Sequence, residues 1–182
     1  MRSAAHPKRT ILVATDFSKP GKLVVPYAFK LALALNLRLT ILHVVKAPPE
    51  FEQWSPAAHR SLHSLKTKAL LELGRLIRLA NENGLMADQK LLVGIPGDSI
   101  LKVAHRSHIA FIVMGTHGKT GWDRLRLGSV AESTLRQAPC PVLTVRASVP
   151  PYPRQSAPVE RSSLSGSNGL FCLFDGSASD RR

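Results

Sequence analysis

The sequence predicts an α/β fold: a single doubly wound, five-stranded parallel sheet with four helices on its faces. Three observations carry this. Short Val-, Ile- and Leu-bearing runs alternate with longer amphipathic stretches up to Arg146, the order of a repeated βα unit. The strand-like runs are apolar almost throughout, as at residues 109–114, which suits strands covered on both faces. The run at residues 111–114 also leads into a glycine loop ending at Gly128-Ser129, where a helix can begin.

The elements follow in order. Residues 9–14 read as the first strand, stopped by Thr15-Asp16. Pro20 opens a helix whose apolar face is expected through Leu23, Tyr27, Leu31 and Ala34. Residues 38–45 form the second strand, and Pro48-Pro49 breaks the chain after it. Residues 55–83 form a long helix, because Leu62, Leu65, Ala69, Leu73, Leu76 and Ala80 step by three or four along one face. Gly84 ends it as a C′ glycine. Residues 90–93 are the core of a third strand, and residues 98–105 the middle of a short helix preceded by Pro96 and Gly97. The fourth strand covers 111–114, the fourth helix 128–137 and the fifth strand 142–146.

The glycine loop carries the functional reading. Val113-Met114-Gly115-Thr116-His117-Gly118 is followed by nine residues and then Gly128-Ser129. Glycines let backbone N–H groups turn toward an anion, and a helix N-terminus adds unpaired donors and partial positive charge. The Ser129 hydroxyl adds one more donor. This points to a nucleotide phosphate site, with a purely structural loop as the competing reading. His117 lies inside the loop, where it either contacts a phosphate or points to solvent. Asp16, at the end of the first strand, also has two readings: acceptor for ribose hydroxyls or a hydrated cation, or cap and Asx turn before the Pro20 helix.

The spacing Gly115, Gly118, Gly128, Ser129 resembles the G-x2-G-x9-G-[S/T] pattern of the universal stress protein family, in its ATP-binding branch. Val13-Ala14-Thr15-Asp16-Phe17-Ser18, Leu42-His43-Val44, Gly94-Ile95-Pro96 and Pro139-Cys140-Pro141-Val142 agree with it. The resemblance covers roughly residues 8–146 and departs at Ala110, where relatives carry Asp. It implies a Rossmann-like strand order 3-2-1-4-5, with the ligand where that order reverses. It further implies that the Val44 backbone reads the adenine edge and that Ala14, Thr15 and Met114 enclose the base. Asp16 would meet the ribose. Gly115, Gly118, Gly128, Ser129 and the Val130 N–H would hold the phosphates of ATP, which carry Mg²⁺ or Mn²⁺. A homodimer through the last strand and a regulatory, switch-like role in stress response are implied as well, with an unidentified signalling partner.

Other chemistries fit less well. Gly118-Lys119-Thr120 looks like the end of a Walker A loop, but Val113 stands where its first glycine belongs. His59 and His63 have the spacing of a zinc protease pair, but Arg60 stands where the glutamate is needed. Neither a nucleophile–base pair nor paired catalytic carboxylates is visible, and Glu132 is expected to face solvent or pair with a basic residue. The chain reads as a nucleotide binder without equipment for fast turnover. The alternatives are a slow ATPase or nucleotidyl-transfer relative, and a basic interaction module without a ligand.

Composition sets the remaining bounds. The net charge is +13, and 21 basic against 9 acidic residues fall before Ser148. Such a field attracts polyanions, but without aromatic interleaving or a binding signature it does not read as a nucleic-acid site. No apolar run reaches membrane-span length, and the start of the chain lacks the apolar stretch of a secretory signal. Cys140 and Cys172 are read as reduced thiols of a cytoplasmic protein. Residues 1–147 are read as the nucleotide-binding domain. Residues 148–182, with eight Ser, four Pro and three Gly, are read as a disordered extension.

Overall fold

The computed structural model of the chain describes residues 9–46, 56–106, 108–116 and 127–146. Among them are five strands and four helices in strict alternation: β1 (Thr10–Ala14), α1 (Lys19–Leu35), β2 (Arg38–Val45), α2 (Pro56–Glu82), β3 (Ala87–Val93), α3 (Pro96–Arg106), β4 (Ile109–Gly115), α4 (Ser129–Gln137) and β5 (Val142–Val145). All strand pairs are parallel and the order is β3-β2-β1-β4-β5, the predicted fold and topology. The expected tail and the Pro48-Pro49 break lie outside the described residues.

β1 is the centre of the sheet, and its pleat divides the core in two. Ile11 and Val13 point into one cluster with Val24, Val25, Ala28 and Phe29 of α1 and Leu73 and Ala80 of α2. Leu12 points into the other with Ile100 and Val103 of α3 and Ala131 of α4. Ile11, Leu12 and Val13 are all fully buried, which stabilises the sheet by about 1.5–3 kcal/mol for each side chain. This is why the first strand reads as an unbroken apolar run.

Three details differ from the sequence reading. The buried stripe of α1 runs through Val24, Val25, Ala28, Phe29 and Ala32, while Leu23, Tyr27 and Leu31 sit half-buried at its margin and Ala34 is exposed. α1 is apolar nearly all round, so its periodicity does not choose a face. β3 starts earlier than the core given by its apolar residues, at Ala87, because Ala87 to Gln89 pair with Leu39 to Ile41 through the backbone while Asp88 and Gln89 stay polar and exposed. Pro96 and Gly97 lie inside the first turn of α3, not before it. Gly84 does close α2: at φ +74° it lets Leu85 N–H reach the Ala80 carbonyl at 3.0 Å, a Schellman ending that also buries Leu85. Glu132 pairs with Arg136 at 2.9 Å. Burial pushes the Cys140 thiol pKa up, so it stays protonated to higher pH than a free cysteine.

Candidate functional site

The site follows from a difference in strand length. The last residue of β1, Ala14, pairs with Leu42 of β2 and Met114 of β4. β2 continues to Val45 and β4 to Gly115, so both neighbours overhang a notch at the C-terminal edge of the sheet, where the strand order reverses. The Leu42 carbonyl accepts from Thr15 N–H at 3.0 Å, and the Val45 carbonyl from Gly94 N–H at 3.0 Å on the opposite side. Alternation along β2 therefore turns the Val44 N–H and C=O toward the β1 side, into the notch. On β4, Thr116 N–H donates to Val145 of β5 at 3.0 Å, so the same alternation turns the Gly115 carbonyl toward the notch.

The notch is a cavity of about 460 Å³. Ala14, Thr15, Asp16, Val44, Met114, Gly115, Gly128, Ser129 and Val130 all line it. Of the residues singled out from sequence only Gly118 is missing from this set, and it lies outside the described residues, as does His117.

One wall is the turn from β1 into α1. Ser18 is the N-cap of α1, its Oγ accepting from Gly21 N–H at 3.1 Å. The Asp16 carboxylate holds Ser18 in turn: Oδ1 accepts from Ser18 N–H at 3.0 Å and from Ser18 Oγ at 2.5 Å. The Asx-turn reading of Asp16 is thus correct for this oxygen. It does not exclude the other reading, because a carboxylate has two oxygens and several lone pairs and the residue also faces the cavity. Thr15 Oγ1 accepts from Phe17 N–H and donates to the Gly21 carbonyl, both at 3.2 Å. A side chain at Gly21 would collide with Asp16 Oδ1.

The opposite wall is the start of α4. Gly128 N–H donates to the Thr116 carbonyl at 2.8 Å, and the Gly128 carbonyl accepts the first helical bond, from Glu132 N–H, at 2.9 Å. Gly128 is the N-cap and makes no side-chain cap bond, so the first-turn N–H groups of Ser129, Val130 and Ala131 have no intrahelical acceptor. Ser129 itself is exposed. Gly128 has φ −65° and ψ 147°, ordinary extended backbone open to any residue. Its lack of a side chain matters for close approach and not for a left-handed turn.

Several lining residues escaped the sequence reading: Gly21, His43, Lys46, Leu65, Pro96 and Ile100. Leu65 was expected in the core and is instead 48% exposed beside the cavity. A signal did exist for His43, a polar ring in an apolar strand, since a buried polar group requires a partner.

The comparisons with known proteins agree with this geometry. The family model described as the universal stress protein family matches residues 8–146. Universal stress protein A homolog 1 of Coxiella burnetii is 33% identical over 141 residues, covering 74% of this chain and 94% of its own length. Universal stress protein MJ0577 of Methanocaldococcus jannaschii is 27% identical over 161 residues, covering 76% of this chain and 94% of its own. The solved structure of MJ0577 superimposes with a TM-score of 0.69 at 26% identity, over 76% of this chain and 96% of that one. A universal stress protein solved in complex with cAMP superimposes with a TM-score of 0.58 at 25% identity, over 79% of this chain and all of its own.

Proposed function

The chain belongs to the universal stress protein family, and from that premise we propose that the notch above β1 binds an adenine nucleotide, ATP first among them, as a regulatory switch in stress response. The observation that carries the reading is the pairing of two unlike walls around one cavity. A helix N-terminus with open N–H donors stands on one side, and a carboxylate fixed by its own turn stands on the other. Anions suit the first wall and hydroxyl donors the second. The relative solved with cAMP supports the ligand class.

Val44 main chain reads the adenine edge, and Ala14, Thr15 and Met114 enclose the base. Asp16 accepts from the ribose hydroxyls. Gly115, Gly128, Ser129 and Val130 hold the phosphates, joined by Gly118. Mg²⁺ or Mn²⁺ would travel on the phosphate oxygens. Bound phosphate at the start of α4 would change a surface that a signalling partner reads. β5 is an edge strand with Leu143 43% exposed, and pairing of two such edges would make the homodimer. The protein would act in the cytoplasm.

Denaturing the purified full chain and separating the released small molecules by nucleotide chromatography tests the reading. An adenine nucleotide in near-stoichiometric amount is expected. No released nucleotide, together with no heat on titration with ATP, would overturn it.

A further inference from the structure

His43 is the polar exception in β2. It is 9% exposed and alternates onto the same face as Ile41 and Val45, the face that α1 and α2 cover. Its Nδ1 lies 2.7 Å from the Thr15 carbonyl oxygen. A carbonyl only accepts, so Nδ1 carries the proton in this contact. The same ring stacks on Phe17, with centroids 4.2 Å apart and planes at 25°.

Thr15 and Phe17 are the residues on either side of Asp16. One ring on the neighbouring strand therefore grips both flanks of the carboxylate-bearing residue, one by a hydrogen bond and the other by stacking. The grip is needed at Phe17, whose φ of +58° is a conformation that bulky residues rarely adopt unless their surroundings impose it. Beyond Phe17, the carboxylate itself is aimed by Ser18. The chain of contacts runs from the sheet, through His43, to Asp16.

The geometry points to His43 as a positioning residue: it holds the Thr15–Phe17 turn so that Asp16 faces the ribose of the bound nucleotide, and through Asp16 it sets the preference for a hydroxyl-bearing sugar. The inference rests on the adenine-nucleotide reading above. Its physical content is pre-organisation. A turn held before binding need not be ordered on binding, and a carboxylate held in reach keeps its hydrogen bonds to the hydroxyls.

The test uses the full chain and two ligands, ATP and 2′,3′-dideoxy-ATP, which lacks the hydroxyls that Asp16 would accept from. The wild type should prefer ATP by roughly tenfold or more, the worth of a charge-assisted hydrogen bond. His43→Phe keeps the stack and removes the donor, and the ratio of the two affinities should fall toward one. His43→Asn restores a donor near Nδ1, and much of the preference should return. A merely structural histidine would weaken both ligands alike and leave the ratio unchanged. A wild-type ratio in His43→Phe, or an equal loss in His43→Asn, overturns the inference. A wild type that binds neither nucleotide would instead overturn the adenine-nucleotide reading.

Amide hydrogen exchange on the ligand-free protein gives a second readout. In His43→Phe, protection of Phe17 and Ser18 N–H should drop relative to Leu12 and Val13 of the preceding strand β1. Unchanged protection at Phe17 and Ser18 would count against the grip whatever the binding data show.

Discussion

From Thr15 to Gly21 the cleft wall is tied by side chains: Thr15 to Gly21, Asp16 to Ser18, Ser18 to Gly21 and His43 to Thr15. Across the notch, the contact seen among the described residues between Thr116 and Gly128 is a main-chain one, an N–H to carbonyl bond of 2.8 Å. Side chains can be removed one at a time and carry chemical identity, so the first wall suits discrimination among sugars. Main-chain donors survive every substitution except proline and do not distinguish one phosphate ester from another, so the second suits affinity for any phosphate. The two walls should therefore fail differently. The α4 wall should break chiefly when bulk is added, and the α1 wall also when a polar group is lost.

The strongest way to break the comparison is Gly128→Val. Ordinary φ and ψ at Gly128 let valine fold there, while its side chain would stand where phosphate approaches the α4 N–H groups. Several charge-assisted hydrogen bonds, each worth about 1.5–3 kcal/mol, would go, and affinity for ATP should fall roughly a thousandfold or more. Calorimetric titration, with circular dichroism as the fold control, measures this; unchanged affinity in a folded variant would remove α4 from the site.

Asp16→Ala comes next. Losing one charge-assisted bond costs about 1.5–3 kcal/mol, so the ATP dissociation constant should rise roughly ten- to hundredfold and that of the dideoxy analogue much less. Because Asp16 also holds Ser18, the variant should lose about 0.5–2 kcal/mol of stability, read by urea denaturation. Equal losses for the two ligands would argue against ribose recognition.

Gly21→Ala sharpens the same point without touching a polar group. Its Cβ would meet Asp16 Oδ1 and lie 3.2 Å from Thr15 Oγ1, so the carboxylate must turn away. Overpacking of this kind costs about 1–3 kcal/mol, and ATP affinity should drop several-fold to roughly tenfold, with the preference over the dideoxy analogue reduced. A variant that keeps its full preference would show that Asp16 need not hold this pose. The smallest effect belongs to Ser129→Ala. One neutral hydroxyl is worth about 0.5–1.5 kcal/mol, a few-fold in affinity, because the helix N–H groups remain; a loss as large as that of Gly128→Val would make the second wall depend on side chains after all.

The same contrast explains what could be read in the sequence. The strands were legible because the central ones are buried on both faces and the apolar run of β1 ends at a turn signal, Thr15-Asp16. The edge strand β3 was only half legible, since Asp88 and Gln89 near its start pair through backbone with polar, exposed side chains. In the cleft, the glycine wall announced itself by spacing, because backbone donors at a helix start demand small residues at set intervals. The other wall did not. Gly21 matters through a clash with Asp16 that only the folded turn creates, and His43 through contacts to Thr15 and Phe17, 28 positions away at Thr15. Leu65 reaches the cavity from α2 and Pro96 and Ile100 from α3, which no local pattern encodes.

Amide chemical-shift mapping of the full chain during titration with ATP tests the two-walled site most directly. The account predicts saturable shifts at Ser129 and Val130 on one wall, at Asp16 and Ser18 on the other and at Val44 between them, with Ala104, Ile109 and Cys140 at the far edge of the sheet unmoved. Shifts confined to that far edge, or none at any ATP concentration, would contradict it.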